Sequence, residues 1–231
     1  MTDVTIQAKD GGSFYGYLKT PASGSGPGIV VIQEIFGVNK VMRDLVDYYA
    51  EHGYVALCPD LFWRQEPGIQ LTDQSDAEWQ RAFQLYQGFS EAKGVEDLIA
   101  SVDFLRGYQG VTGKVGTVGF CLGGKLAYLM ATRSDADANV SYYGVGIEKD
   151  LAEATAISKP LLMHIAEKDK FVPPEAQAQI RTALANNPNV TMHVYEGQDH
   201  AFSRKGGAHY HQPSAEMAHA RSQEFFARNL K

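Results

Sequence analysis

The chain has 231 residues, 44% hydrophobic and 21% charged, with 27 acidic residues against 21 basic ones. That length suits one domain with a continuous core, and the composition is that of an ordinary globular protein. A net charge of −6, with no Lys/Arg run interleaved with aromatics, argues against nucleic acid as a partner. The opening MTDVTIQAKDGG lacks a basic patch followed by an apolar run, so no signal peptide is expected, and no stretch is apolar enough to span a bilayer. Cys58 and Cys121 form no spaced framework for disulfides or zinc. A reducing, cytoplasmic setting is expected.

In chain order, VTIQA and FYGYL predict two strands joined through KDGGS. GIVVIQ, Gly28 to Gln33, is a continuous apolar run, as in a strand covered on both faces. A helix is expected over Lys40–His52, closed by Gly53, and then the strand YVALC, stopped by Pro59. Pro59 to Gln74 is turn-rich and is expected to be an insertion above the sheet. Helices follow around Ser75–Phe89 and Gly94–Tyr108. KVGTVGF predicts a strand, and KLAYLMATR a helix with Leu126, Leu129 and Met130 on one face. Strands are predicted at Asn139–Tyr143, Pro160–Ala166 and Val190–Tyr195, and helices at Pro174–Asn186 and Pro213–Asn229. This alternation implies an α/β fold: a mostly parallel sheet with helices on both faces, in a single domain over residues 1–231. Ligands of such sheets bind beyond the carboxyl ends of the strands.

GFCLGG, Gly119 to Gly124, stands at such an end. Gly119-Phe120-Cys121-Leu122-Gly123 is the G-x-S-x-G elbow with sulfur in place of oxygen. A helix N-terminus favours thiolate, yet a free thiol of pKa near ~8.5 is only a few per cent ionised at neutral pH. Cys121 therefore needs a base, and the base an orienting carboxylate. The order expected on this architecture is nucleophile, acid, histidine. PLLMHIA runs into EKDKFVP, which offers Glu167 and Asp169, and VTMHVY runs into EGQDHAFSR, which offers His200. The form strand-x-x-Asp-x-x-Val-Pro favours Asp169, although Glu167 is an alternative. Asp199, beside His200 in sequence, is expected to point elsewhere. The backbone N–H groups of Leu122 and of Ile35, in the loop after GIVVIQ, are the candidate oxyanion donors.

Other candidates are weaker. His164 and His193 fall within strands, and His52 near a helix end. His209 and His211 have no third ligand at convincing spacing, so no metal is expected. Cys58 reads as a buried small residue.

Taken together, QEIFGVN, GYVALCPDLF, GFCLGG, YYGVG, EKDKFVP and DHAFSR resemble the dienelactone hydrolase family, the carboxymethylenebutenolidases, in order and along nearly the whole chain. The resemblance implies an α/β-hydrolase fold and a catalytic triad of Cys121, Asp169 and His200. It also implies an oxyanion hole at Leu122 and Ile35, a glutamate, Glu34, that contacts the nucleophile, and no cofactor. The implied reaction opens the lactone ring of dienelactone to maleylacetate. Arg204 matches one arginine that grips the substrate carboxylate. The second arginine's place falls on Trp79, with Arg81 two positions along and therefore about 200° round a helix axis. Phe83 replaces a typical tyrosine. As i,i+4 neighbours, Trp79 and Phe83 are either core or pocket lining. The implied partner is a small anionic lactone or ester, and a monomer is expected. A broader carboxylesterase or thioesterase on the same residues is the alternative. A redox-sensing thiol protein is a third reading, from another class.

Overall fold

In the computed structural model, which describes residues 2–231, the chain opens with a hairpin of two strands, β1 (Thr2–Gln7) and β2 (Ser13–Lys19). They pair antiparallel with Ile6 opposite Phe14, and both of these side chains are buried. Cross-strand apolar pairs of this kind fix register, because a slip by one residue would turn the set to solvent. All seven residues of β3 (Gly26–Ile32) are buried, as the unbroken apolar run predicts. α1 covers Lys40–Glu51. The side chain of Asn39 caps it by accepting from the Met42 N–H at 3.1 Å, and Gly53 beyond its end takes φ +91°. Met42, Val46, Tyr49 and Ala50 form its buried stripe. Each large side chain so buried contributes roughly 1.5–3 kcal/mol against conformational entropy.

β4 (Val55–Pro59) is buried throughout. α2 (Asp76–Gln87) and α3 (Glu91–Arg106) are capped by Ser75 and Ser90. These elements belong to one compact unit, Met1–Gly116, whose strands lie in the order β1-β2-β4-β3. β2 runs antiparallel to β4, and β3 parallel to it. Pro59 ends β4 yet keeps its place opposite Gly16 in the ladder.

The segment that follows β4 has little regular structure, but polar contacts hold it firmly. The buried Asp60 carboxylate accepts from the N–H groups of Phe62 at 3.0 Å and Gly68 at 2.8 Å. Burial still pushes its pKa up against those two bonds. Asp97 on α3 accepts from the Trp63 indole at 2.9 Å and from Arg64 at 2.8 Å, and Arg64 also reaches Asp10. Gln33, just past β3, accepts from the Leu61 N–H at 3.0 Å, so the loop after β3 and this segment are tied together.

The second compact unit is Thr117–Lys231. β5 (Val111–Phe120) runs into it across the division. α4 (Leu122–Arg133), β6 (Asn139–Tyr142), a 3₁₀ segment at Ile147–Ala156, β7 (Leu161–Ala166), α5 (Pro174–Leu184), β8 (Val190–Tyr195) and α6 (Gln212–Leu230) follow. β5, β6, β7 and β8 lie in that order, and every pair within the unit is parallel. The expected single apolar face of α4 gives way to burial of every residue from Leu122 to Ala131. A helix buried all round carries no amphipathic period to read. Its one lysine, Lys125, is buried and ion-paired with Asp150 at 3.0 Å. The 3₁₀ segment was not anticipated, because IEKDLAEATA lacks a helical apolar period and kinks at Asp150.

Candidate active site

Four chemistry-bearing loops follow the carboxyl ends of β5 to β8. Cys121 comes directly after β5 and sits at the N-terminus of α4 with φ 57° and ψ −115°, a strained backbone for a side chain with a Cβ. The elbow is held by the Cys121 N–H donating to the Tyr142 carbonyl at 3.1 Å and by Lys125 N–H donating to the Cys121 carbonyl at 3.2 Å. The turn is possible only because its neighbours are glycines. A Cβ on Gly119 would lie 1.9 Å from the Gly123 carbonyl oxygen, and one on Gly124 would lie 2.3 Å from that of Tyr142. These are backbone clashes that no rotamer relieves. Gly119→Ala is expected to destabilise the fold by about 3 kcal/mol or more, read as a lowered midpoint in urea; an unchanged midpoint would mean that the elbow has room to open.

Asp169 and His200 come from the loops after β7 and β8. The two residues are 3% and 5% exposed, and His200 Nδ1 lies 2.7 Å from Asp169 Oδ2. The other Asp169 oxygen accepts from the Phe171 N–H at 2.9 Å, which fixes the carboxylate. The Cys121 side chain lies close enough to act electrostatically on the His200 ring. Edge-on contacts come from Tyr143 and Phe171, with ring centroids 5.0 and 4.9 Å away. The alternative acids are engaged elsewhere. Glu167 accepts from the Gly197 N–H at 2.7 Å, and Asp199 accepts from the N–H of His200 itself at 2.7 Å.

Burial alone would lower the pKa of His200, but electrostatic interaction with Cys121 and the hydrogen bond to Asp169 outweigh it and push the ring up to about 10. Because that lies above the ordinary value of 6.5, the folded state holds the proton more tightly than the unfolded chain. This contribution to stability is complete below about pH 6.5 and is lost as pH rises through about 10. Thermal unfolding followed across that window should show the wild-type protein losing stability that His200→Gln does not lose. Superimposable pH dependences would contradict the assignment.

The remaining site candidates are placed as follows. Leu122 opens α4 and is buried, and Ile35 lies in the buried loop after β3. Glu34, beside it, is 2% exposed, a rare position for a carboxylate. Arg204, in the turn after His200, is 8% exposed and its N–H donates to the Ala201 carbonyl at 2.9 Å. On α2, Trp79 stacks on Phe83 at 5.5 Å, meets Phe36 edge-on at 5.0 Å, and donates its indole N–H to the Asp73 carbonyl at 3.1 Å. Arg81 is ion-paired with Glu66 and donates to Gln84 at 3.2 Å. His211 accepts from the Ser214 N–H as the N-cap of α6, and His209 lies 3.8 Å from Asp199. Among the described residues, both cysteines are free thiols, and no helix is long and apolar enough to cross a membrane. Sequence reasoning passed over Tyr143 and Phe171; YYGVG and EKDKFVP contain them, but nothing in spacing says that their rings reach His200.

The profile of the dienelactone hydrolase family matches residues 14–230. A carboxymethylenebutenolidase of Pseudomonas putida is 40% identical over 97% of this chain and 95% of its own. A protein of Azospirillum brasilense assigned the same activity is 53% identical over the full length of both chains. Among solved structures, a Klebsiella pneumoniae protein assigned as a dienelactone hydrolase superposes with a TM-score of 0.87 at 27% identity, over 98% of each chain. The fold is thus that of the α/β hydrolases. The chain belongs to the dienelactone hydrolase family and is a carboxymethylenebutenolidase-like hydrolase.

Proposed function

We propose that this protein opens the lactone ring of dienelactone to maleylacetate, with Cys121 as nucleophile, His200 as base and Asp169 as its orienter. The observation that carries the reading is one imidazole bonded to a buried carboxylate at 2.7 Å and coupled electrostatically to the Cys121 side chain, at the ends of parallel strands. The Cys121 sulfur attacks the lactone carbonyl. The resulting oxyanion is taken up by the backbone N–H groups of Leu122 and Ile35, each typically worth about 3 kcal/mol of transition-state stabilisation. The ring C–O bond breaks, leaving a thioester and an enolate, which takes a proton and rearranges to the ketone. Water activated by His200 then cleaves the thioester and restores the thiol. Arg204 receives the substrate's carboxylate, for which a guanidinium is suited. No cofactor takes part, the substrate is a small anionic lactone, and the protein works as a monomer. Two free cysteines suit a reducing cytoplasm.

Glu34 acts as a gate on the thiol. A carboxylate near sulfur disfavours thiolate by like-charge repulsion, so displacement of Glu34 by an anionic substrate would make the nucleophile more reactive. Alkylation of Cys121 by iodoacetamide should therefore be faster in Glu34→Gln than in the wild type; an equal rate would remove the gate.

A second reading, a broader carboxylesterase, draws on α2. Arg81 is engaged by Glu66 and Gln84, and the Trp79–Phe83 stack offers an apolar surface in place of a second arginine. Rates of purified protein on dienelactone and on neutral p-nitrophenyl acetate separate the two. A kcat/KM higher for the lactone by about tenfold or more supports lactone hydrolysis, and the reverse order supports the esterase.

A further inference from the structure

Among the described residues, three that are not glycine adopt left-handed backbone angles: Cys121, Tyr143 and Ala201, with φ of 57°, 37° and 62°. All three adjoin the Cys121–His200 couple, and only two of them are explained by it. Cys121 is the elbow, and Ala201 turns the chain just after His200. Tyr143 is the third. Strain of this kind persists only where the surroundings over-determine it, and here they do. The Tyr143 N–H donates to the His164 carbonyl at 2.8 Å, its ring lies edge-on to His200 at 5.0 Å, and its hydroxyl lies 2.9 Å from Ser203 Oγ. Tyr143 and Ser203 are both buried.

We propose that Tyr143 is a positioning residue for the reaction assigned above: its ring sets the tilt of the His200 imidazole, and its hydroxyl, bonded to Ser203, latches the loop that carries His200 and Arg204. The bond from Asp169 restrains one ring nitrogen and leaves rotation about that axis open. Side restraint comes from two rings, Tyr143 and Phe171. Phe171 is 46% exposed, whereas Tyr143 is 3% exposed and anchored at the end of β6. Tyr143 is therefore the fixed wall. Its hydroxyl partner precedes Arg204 by one residue, so the same latch holds the guanidinium that receives the anion. An edge or face of an electron-rich ring beside an imidazolium also bears on its charge.

The proposal rests on the functional reading, and its test separates the two. Tyr143→Phe and Ser203→Ala should each lower kcat/KM on the anionic lactone about tenfold, the worth of one net hydrogen bond. The double variant should lose no more than either single one, since both remove the same bond. Ser203→Thr, which keeps a hydroxyl, should recover the rate. Tyr143→Leu, which removes the ring, should in addition shift the pH profile of Cys121 alkylation, while Tyr143→Phe leaves that profile in place. Independent, multiplying losses in the double variant would overturn the latch. A Tyr143→Leu profile superimposed on the wild type, even with a lowered Tm, would overturn the ring's role and leave it merely structural. If the wild-type protein hydrolyses neither lactone nor ester, the functional reading falls, and the alkylation profiles alone still decide whether Tyr143 positions His200.

Discussion

Cys121→Ala and His200→Ala are each expected to lower turnover of the lactone by roughly four to six orders of magnitude, to the rate supported by binding and oxyanion donors alone. The reason is that in the proposed mechanism the two residues act as one unit. Sulfur without the imidazole has no acceptor for its proton, and the imidazole without sulfur has only water to activate. The double variant should consequently be no slower than either single one. Measured against wild-type protein at saturating substrate, additive losses would mean that His200 serves some step apart from Cys121. Cys121→Ser is a subtler probe. Oxygen is a far weaker acid than sulfur, so a site set for a sulfur anion should turn over slowly with serine, despite the smaller change in shape.

The second large effect is expected at Asp169. Asp169→Asn should cost roughly four orders of magnitude in kcat with little change in KM. An amide in that place presents an N–H₂ or a neutral carbonyl to Nδ1, so it either forces the wrong tautomer or gives up the charge that stabilises an imidazolium. Glu167→Gln is the matched control, because it removes a carboxylate from the same loop. Glu167 is bound to the Gly197 N–H at 2.7 Å, and an amide oxygen can keep that bond. Its rate should stay within about twofold of the wild type, in line with a surface change away from the reacting groups. Should Glu167→Gln fall as far as Asp169→Asn, the orienting role would belong to the loop as a whole.

The site's residue types were legible in the chain because each comes at a strand end, where a short loop must carry it. Cys121 could be singled out between glycines, and those glycines turn out to be required because a Cβ on Gly119 or Gly124 would run into the backbone carbonyl of Gly123 or Tyr142. Glu167 and Asp169 stood two residues apart in one loop, and the sequence favoured Asp169 with Glu167 as the alternative. Their separation came from partners: Gly197 takes Glu167, and His200 takes Asp169. Arg81 and Trp79 show the limit in the other direction. Helical geometry put them on different sides of α2, and the structure adds that Glu66 and Gln84 engage the guanidinium while Phe36 and Phe83 flank the indole. The surroundings of His200 were invisible, since Tyr143 and Phe171 lie 57 and 29 positions away from it by their own numbering.

By itself the amino-acid sequence determined the alternation of strands and helices, the fold class and the elbow at Cys121. These are local matters, set by apolar period, capping residues and glycines close along the chain. Tertiary structure decided which carboxylate meets His200, that α4 is buried on all sides, and that the ring of Tyr143 stands against the imidazole. Those outcomes depend on side chains from distant segments arriving in one place, and no spacing along a chain encodes a distance across it.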